Sequence, residues 1–265
     1  MQIEKIDLKK TKNLRDIGGF PADGGKMIKR GKLLRGGRLS KLPPQTVETL
    51  LAMDIRTIID MRTDREIAEH PPTILKGVSY HYIVLPGNMP PEQSKSRHMA
   101  NEVYAQSKRV KRDFGTPENY MVEMYKYIVF DPECRVKLKT IFDILLKEDN
   151  CIVFHCNSGT DRTGIVAMLI ESVLGVDKQL IIDDYMASRT FQRRRRYWQR
   201  FGLIFMPVPI RFKRLLFWQM LPKTQYMLRL LNEIEERYGS VTGYVKEALG
   251  LTEEEIQLLK NKYLE

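Results

Sequence analysis

Three short apolar runs stand out against a polar background. Residues 55–61 and 78–85 are rich in β-branched side chains and bounded by polar ones, and 151–154 reads Cys151-Ile152-Val153-Phe154; each predicts a strand of one sheet. Apolar residues recur at helical spacing over 45–53, 118–130, 133–146, 164–174 and much of 180–265, which predicts helices. Pro132 separates two of them, because its ring nitrogen cannot continue a helical hydrogen-bond ladder. This alternation predicts an α/β fold, a central sheet flanked by helices, with additional helices toward the C-terminus.

Two segments break the pattern. Residues 86–116 mix Pro, Gly, Asn, Ser and Lys with little periodicity and read as a loop insertion. Residues 188–220 concentrate Arg193-Arg194-Arg195-Arg196 among Tyr197, Trp198, Phe201, Phe205, Phe212, Phe217 and Trp218, a composition suited to a helical lid or docking segment. No Gly/Ser- or Pro-rich linker divides the 265 residues, and 43% hydrophobic content fills a sizeable core, so 1–265 is read as one domain.

The net charge of +11 attracts anions: phosphorylated groups, nucleic acid or acidic lipid. No nucleic-acid-binding motif is recognised, so no specific nucleic acid is expected as a partner. For the four arginines a solvated face is the default, and a grip on an acidic protein or membrane surface the alternative. The N-terminus lacks a basic-then-apolar leader, and no window supplies the roughly 18 apolar residues of a membrane span. Cys134, Cys151 and Cys156 suit neither a disulfide framework nor a zinc site. A soluble, cytoplasmic protein in a reducing compartment is expected, with no metal site and no cofactor.

The chemistry concentrates after the third strand. His155-Cys156 is followed by five residues, then Arg162, then an apolar helix beginning near Thr163-Gly164. Strand, tight loop and helix N-terminus make an anion pocket, since the helix dipole and unpaired N–H groups face the loop and successive amides form a nest. Asn157, Ser158, Gly159, Thr160, Asp161 and Arg162 are the expected phosphate-binding residues, with Gly159 giving the backbone its freedom. Cys156 is the candidate nucleophile, its thiolate stabilised by the helix N-terminus, the amides and Arg162. Arg162 offers a planar fork to two phosphoryl oxygens, which lysine does not.

Asp161 is the nearest carboxyl for protonating a leaving oxygen, against the alternative of capping the helix or fixing the loop. Thr163 is a candidate to hydrogen-bond the sulfur. His155 is read as an orienting partner rather than a base, and Cys151 as a packed core residue more readily than a resolving thiol. Asp60 with Arg62, and likewise Arg15 with Asp16, fit structural ion pairs at least as well as functional roles.

The run His155-Cys156-Asn157-Ser158-Gly159-Thr160-Asp161-Arg162-Thr163-Gly164 resembles the protein-tyrosine-phosphatase superfamily, matching every fixed position of H-C-x-x-G-x-x-R-[ST]. Asn13-Leu14-Arg15-Asp16-Ile17-Gly18-Gly19, Arg35-Gly36-Gly37-Arg38-Leu39-Ser40, the block from Ile58 to Glu66, Asp184-Tyr185-Met186 and Tyr238-Gly239-Ser240-Val241 are similar to blocks of its atypical bacterial branch. That branch includes dual-specificity and phosphoinositide-hydrolysing members. The resemblance implies a tyrosine-phosphatase-like fold and places the acid in the phosphate loop, at Asp161. Many members carry alanine and lysine where this chain has Ser158 and Thr160, and the lost cation weakens the case for a multiply phosphorylated head group.

The expected activity is therefore metal-independent hydrolysis of phosphotyrosine, with phosphoserine and phosphothreonine as further substrates. The rivals are a phosphoinositide phosphatase working at acidic membranes and a non-catalytic phosphate-binding module.

Overall fold

In the computed structural model, residues 3–87, 108–192, 201 and 221–265 are described. A five-stranded sheet runs through them in the order β1-β2-β5-β3-β4. The strands are β1 (Arg15–Asp16), β2 (Leu33–Gly36), β3 (Ile55–Asp60), β4 (Ser79–Tyr82) and β5 (Cys151–His155); β1 is antiparallel to β2 and the other pairings are parallel. The helices are α1 (Pro44–Ala52), α2 (Asp64–Glu69), α3 (Pro117–Phe130), α4 (Pro132–Lys147), α5 (Asp161–Val173), α6 (Lys178–Phe191), α7 (Thr224–Tyr238), α8 (Val241–Glu247) and α9 (Glu253–Tyr263).

Side chains alternate across the sheet, so each face feeds its own core. Leu33, Ile59, Ile152 and Phe154 enter the larger core beside residues of α3 to α9, whereas Leu34, Ile58, Cys151 and Val153 enter a smaller one with Leu50 of α1. Both faces of β5 are covered, which is why it reads as an unbroken apolar run. Cys151 thus lies on the face away from the larger core, and burial pushes its thiol up to about 12, the state of a packed residue.

Local chemistry sets the helix ends. Asp131 accepts from the amides of Glu133 and Cys134, capping α4, while Pro132 takes the first helical position, where a missing N–H costs nothing. Thr63 and Glu66 form a capping box that starts α2.

Two strands depart from the sequence expectation. The patterning shows neither β1 nor β2, because Arg15 and Arg35 interrupt any apolar run. Both are fully buried, and Asp184 from α6 pairs with both: Arg15 Nε donates to its carboxylate at 2.6 Å and Arg35 Nη1 bonds its other oxygen. Within 86–116, residues 110–114 form a helical turn with Val110 buried, where a loop was expected. Of 188–220, Ser188 to Phe191 complete α6, while Arg193–Arg196 and the lid or docking segment they suggested lie outside the described residues. Among the described residues, no helix is long and apolar enough to cross a membrane.

Candidate active site

β5 is the central strand, and the chain leaves its C-terminal end as the loop from Cys156 to Thr160 before entering α5. Ligands of open α/β sheets bind at this edge. The dipole of α5 points into the loop, with its first-turn N–H groups lacking intrahelical partners.

The loop's carbonyls are tied back from behind. Asn13 Nδ2 donates to Gly159 O at 2.7 Å, Gln192 Nε2 to Ser158 O at 3.0 Å, and the Arg38 amide to Asn157 O at 3.3 Å. In a trans peptide the next N–H points the opposite way, so the amides of Ser158, Gly159 and Thr160 turn forward. The Gly159 amide indeed lies 3.3 Å from Cys156 Sγ. Gly159 has φ +72°, and a Cβ there would stand 2.3 Å from the carbonyl carbon of Gly36, so no other residue fits without moving β2.

Each residue proposed from sequence has a place here. Cys156 follows β5 directly and is 1% exposed. Asn157 bonds Arg38 through its side chain, and the Thr160 hydroxyl accepts from Gln192 at 2.8 Å. The Thr163 hydroxyl is directed at Gly36 O, 3.5 Å away, whereas the hydrogen bond to sulfur comes from Gly159. His155 Nδ1 is 3.3 Å from Cys156 O and 3.7 Å from Asp60, and burial holds the imidazole below its usual pKa, which suits an orienting role. Asp60 is bound by the Nε and Nη2 of Arg62, a buried pair that shapes the end of β3.

Arg162 is held by Glu66, whose two oxygens accept from Nη1 and Nη2 at 2.7 Å each, and Nη1 also reaches Met61 O at 3.1 Å. A guanidinium has five N–H groups. Among the described residues, those contacts leave Nε–H and the second Nη2–H, two donors side by side on one edge of the guanidinium. Burial opposes the charge of Arg162, but Cys156 and Glu66 outweigh it and hold the group above its ordinary value. Glu66 was not singled out from sequence. Its Thr63-x-x-Glu66 spacing announces a helix start, and nothing local announces the arginine.

Burial pushes the Glu66 carboxyl up, yet Arg162 and Thr63 overcome this and bring it from 4.5 to about 2. A folded pKa below the unfolded one stabilises above the unfolded value and is lost as pH falls toward the folded value. The melting temperature of the wild type should therefore drop more steeply between about pH 4.5 and 2 than that of Glu66→Gln. Parallel curves by circular dichroism would remove Glu66 from this account.

Asp161 opens α5 and accepts from the Tyr125 hydroxyl at 2.6 Å, which is 2.8 Å from the Tyr185 hydroxyl. Behind the loop, Asn13 also bonds Ser188 at 3.0 Å, and Arg15 and Arg35 meet Asp184. Buried Glu171 lies in this group; burial and then the charge of Asp184 push its carboxyl well above the usual range.

The model of the tyrosine phosphatase family matches residues 6–265. The chain is 27% identical over 257 residues to the triple specificity protein phosphatase PtpB of Mycobacterium tuberculosis, covering 89% of this chain and 91% of that one. It is 25% identical over 270 residues to a putative tyrosine-protein phosphatase of Cupriavidus necator, covering 95% and 85%. A tyrosine-protein phosphatase of Nostoc commune is 25% identical over 171 residues, 63% of this chain and 52% of that one. A match across nearly the whole chain, on a fold that gathers thiol, amides and guanidinium at one sheet edge, means that this chain belongs to the tyrosine phosphatase family.

Proposed function

We propose that this phosphatase hydrolyses phosphotyrosine through a phosphocysteine intermediate, and phosphoserine and phosphothreonine as further substrates. The observation that carries the reading is that the Gly159 amide donates to buried Cys156 Sγ while Arg162, which closes the same loop and feels the charge of Cys156, is held in place by Glu66. Cys156 attacks phosphorus while the amides and Arg162 hold the equatorial oxygens, whose charge redistributes in the transition state. Asp161 protonates the departing oxygen, then takes a proton from the water that releases phosphate from sulfur.

Asp161→Asn tests the acid. It should lower kcat/KM for phosphotyrosine peptides and alkyl phosphates about 100-fold, and for p-nitrophenyl phosphate far less, because nitrophenolate leaves with little need of a proton. An equal fall on all esters would assign Asp161 to fixing the loop instead.

One observation supports a second reading, hydrolysis of phosphoinositides at acidic membranes. Arg38 bonds Asn157 of the loop, and Lys12 and Ser158 both lie against Gly37, so two cationic residues flank the loop in which Thr160 stands where many relatives of the branch carry lysine. Hydrolysis of vesicle-borne phosphoinositide faster than of phosphotyrosine peptides would select this reading.

A further inference from the structure

The two hydroxyls behind Asp161 come from different helices, Tyr125 from α3 and Tyr185 from α6. Their rings are 0% and 1% exposed and meet edge to face at 6.3 Å. Gly164, on the first turn of α5, makes this approach possible: a Cβ there would stand 2.9 Å from Tyr185 Cδ2. The pair is therefore built into the packing of three helices around the residue that opens α5.

A phenol carries one proton. Tyr125 directs its proton to Asp161 Oδ1, so Tyr185 donates to the Tyr125 oxygen, and both dipoles point at the carboxylate. Burial, then the charge of Asp161, raises both phenols well above their ordinary pKa, so both remain donors across the working range.

We propose that Tyr125 is the positioning residue of the proton-transfer step, with Tyr185 acting through it, by fixing Oδ1 of Asp161 as an acceptor. The inference rests on the reading of Asp161 as the acid. With Oδ1 held, the proton that Asp161 transfers is carried on Oδ2, and the carboxyl does not rotate to exchange its oxygens. As the phosphorus–oxygen bond breaks and the sulfur–phosphorus bond forms, the proton passes from Oδ2 to the leaving oxygen. The carboxylate that remains is stabilised by the Tyr125 hydroxyl.

The test compares Tyr125→Phe, Tyr185→Phe, Asp161→Asn and the double variant Tyr125→Phe/Asp161→Asn, reading kcat/KM against pH on phosphotyrosine peptide, alkyl phosphate and p-nitrophenyl phosphate. Phenylalanine keeps the ring packing. Tyr125→Phe should lower kcat/KM about tenfold on the first two substrates and little on the third, and move the alkaline limb to higher pH, because the carboxylate loses a donor. Tyr185→Phe should do the same more weakly, and Tyr125→Phe should add nothing in the Asp161→Asn background. If Asp161→Asn discriminates between leaving groups but Tyr125→Phe slows all esters equally with an unmoved limb, the positioning role is overturned and the acid stands. If Asp161→Asn itself fails to discriminate, the reading beneath it has failed.

Discussion

Cys156→Ser should lose turnover by at least about 1,000-fold, below detection in a standard p-nitrophenyl phosphate assay, while still binding inorganic phosphate. A serine hydroxyl is smaller than the thiol and fits the same space, where it can still accept from the Gly159 amide. The amides of the loop and the Arg162 fork are untouched, so the anion site persists. What disappears is the nucleophile, because an alcohol beside these donors is not ionised at neutral pH. Calorimetry with phosphate checks the binding, and assays run with chelator exclude a trace metal phosphatase. Turnover retained within tenfold would place the nucleophile elsewhere. Absent turnover in folded, reduced wild type would favour a phosphate-binding module.

Arg162→Lys should cost about 100- to 1,000-fold in kcat/KM, close to the loss of one strong oxyanion donor. An ammonium can pair with Glu66 or reach phosphate, but it has no planar fork to do both. In the structure one edge of the guanidinium is taken by the two Glu66 oxygens at 2.7 Å, which leaves the Nε edge for phosphate in this reading. Glu66→Gln is the informative companion. It keeps one acceptor for Arg162 and loses the charge, so its kcat/KM should fall about tenfold, less than for lysine. If Arg162→Lys stays within tenfold of wild type, the amides alone hold the phosphate. A Glu66→Gln loss as large as that of Arg162→Lys would show that orientation, rather than donation, is what the arginine provides.

The parts legible in the sequence are those whose cause is local. β3 and β5 were readable because covered faces demand apolar residues, β4, a part-exposed edge strand, because it lies within a bounded run rich in β-branched and aromatic residues, and the helices because their apolar stripes meet a core. The phosphate loop was readable because Cys156 to Arg162 are contiguous and a strand must precede them. β1 and β2 were not, since Arg15 and Arg35 are tolerated inside the sheet only through Asp184, 169 and 149 residues away. The loop contacts of Glu66, Tyr125, Asn13 and Gln192 were not legible for the same reason, although Asn13 and Glu66 lie in blocks that resemble the family's. Each meets the loop from another element, and no spacing within its own element marks it.

That arrangement bears on when the enzyme becomes active during folding. The loop's carbonyls are anchored to Asn13, 146 residues from Gly159, and to Gln192 on the far side of α5. Closing such distant contacts carries an entropy cost that only assembled cores repay. A chain with β5 and α5 formed but its N-terminal segment still unattached has the thiol without the turned amides. Catalytic competence should therefore appear with the last docking event rather than with the sheet, and the return of activity on refolding should lag the return of helical signal.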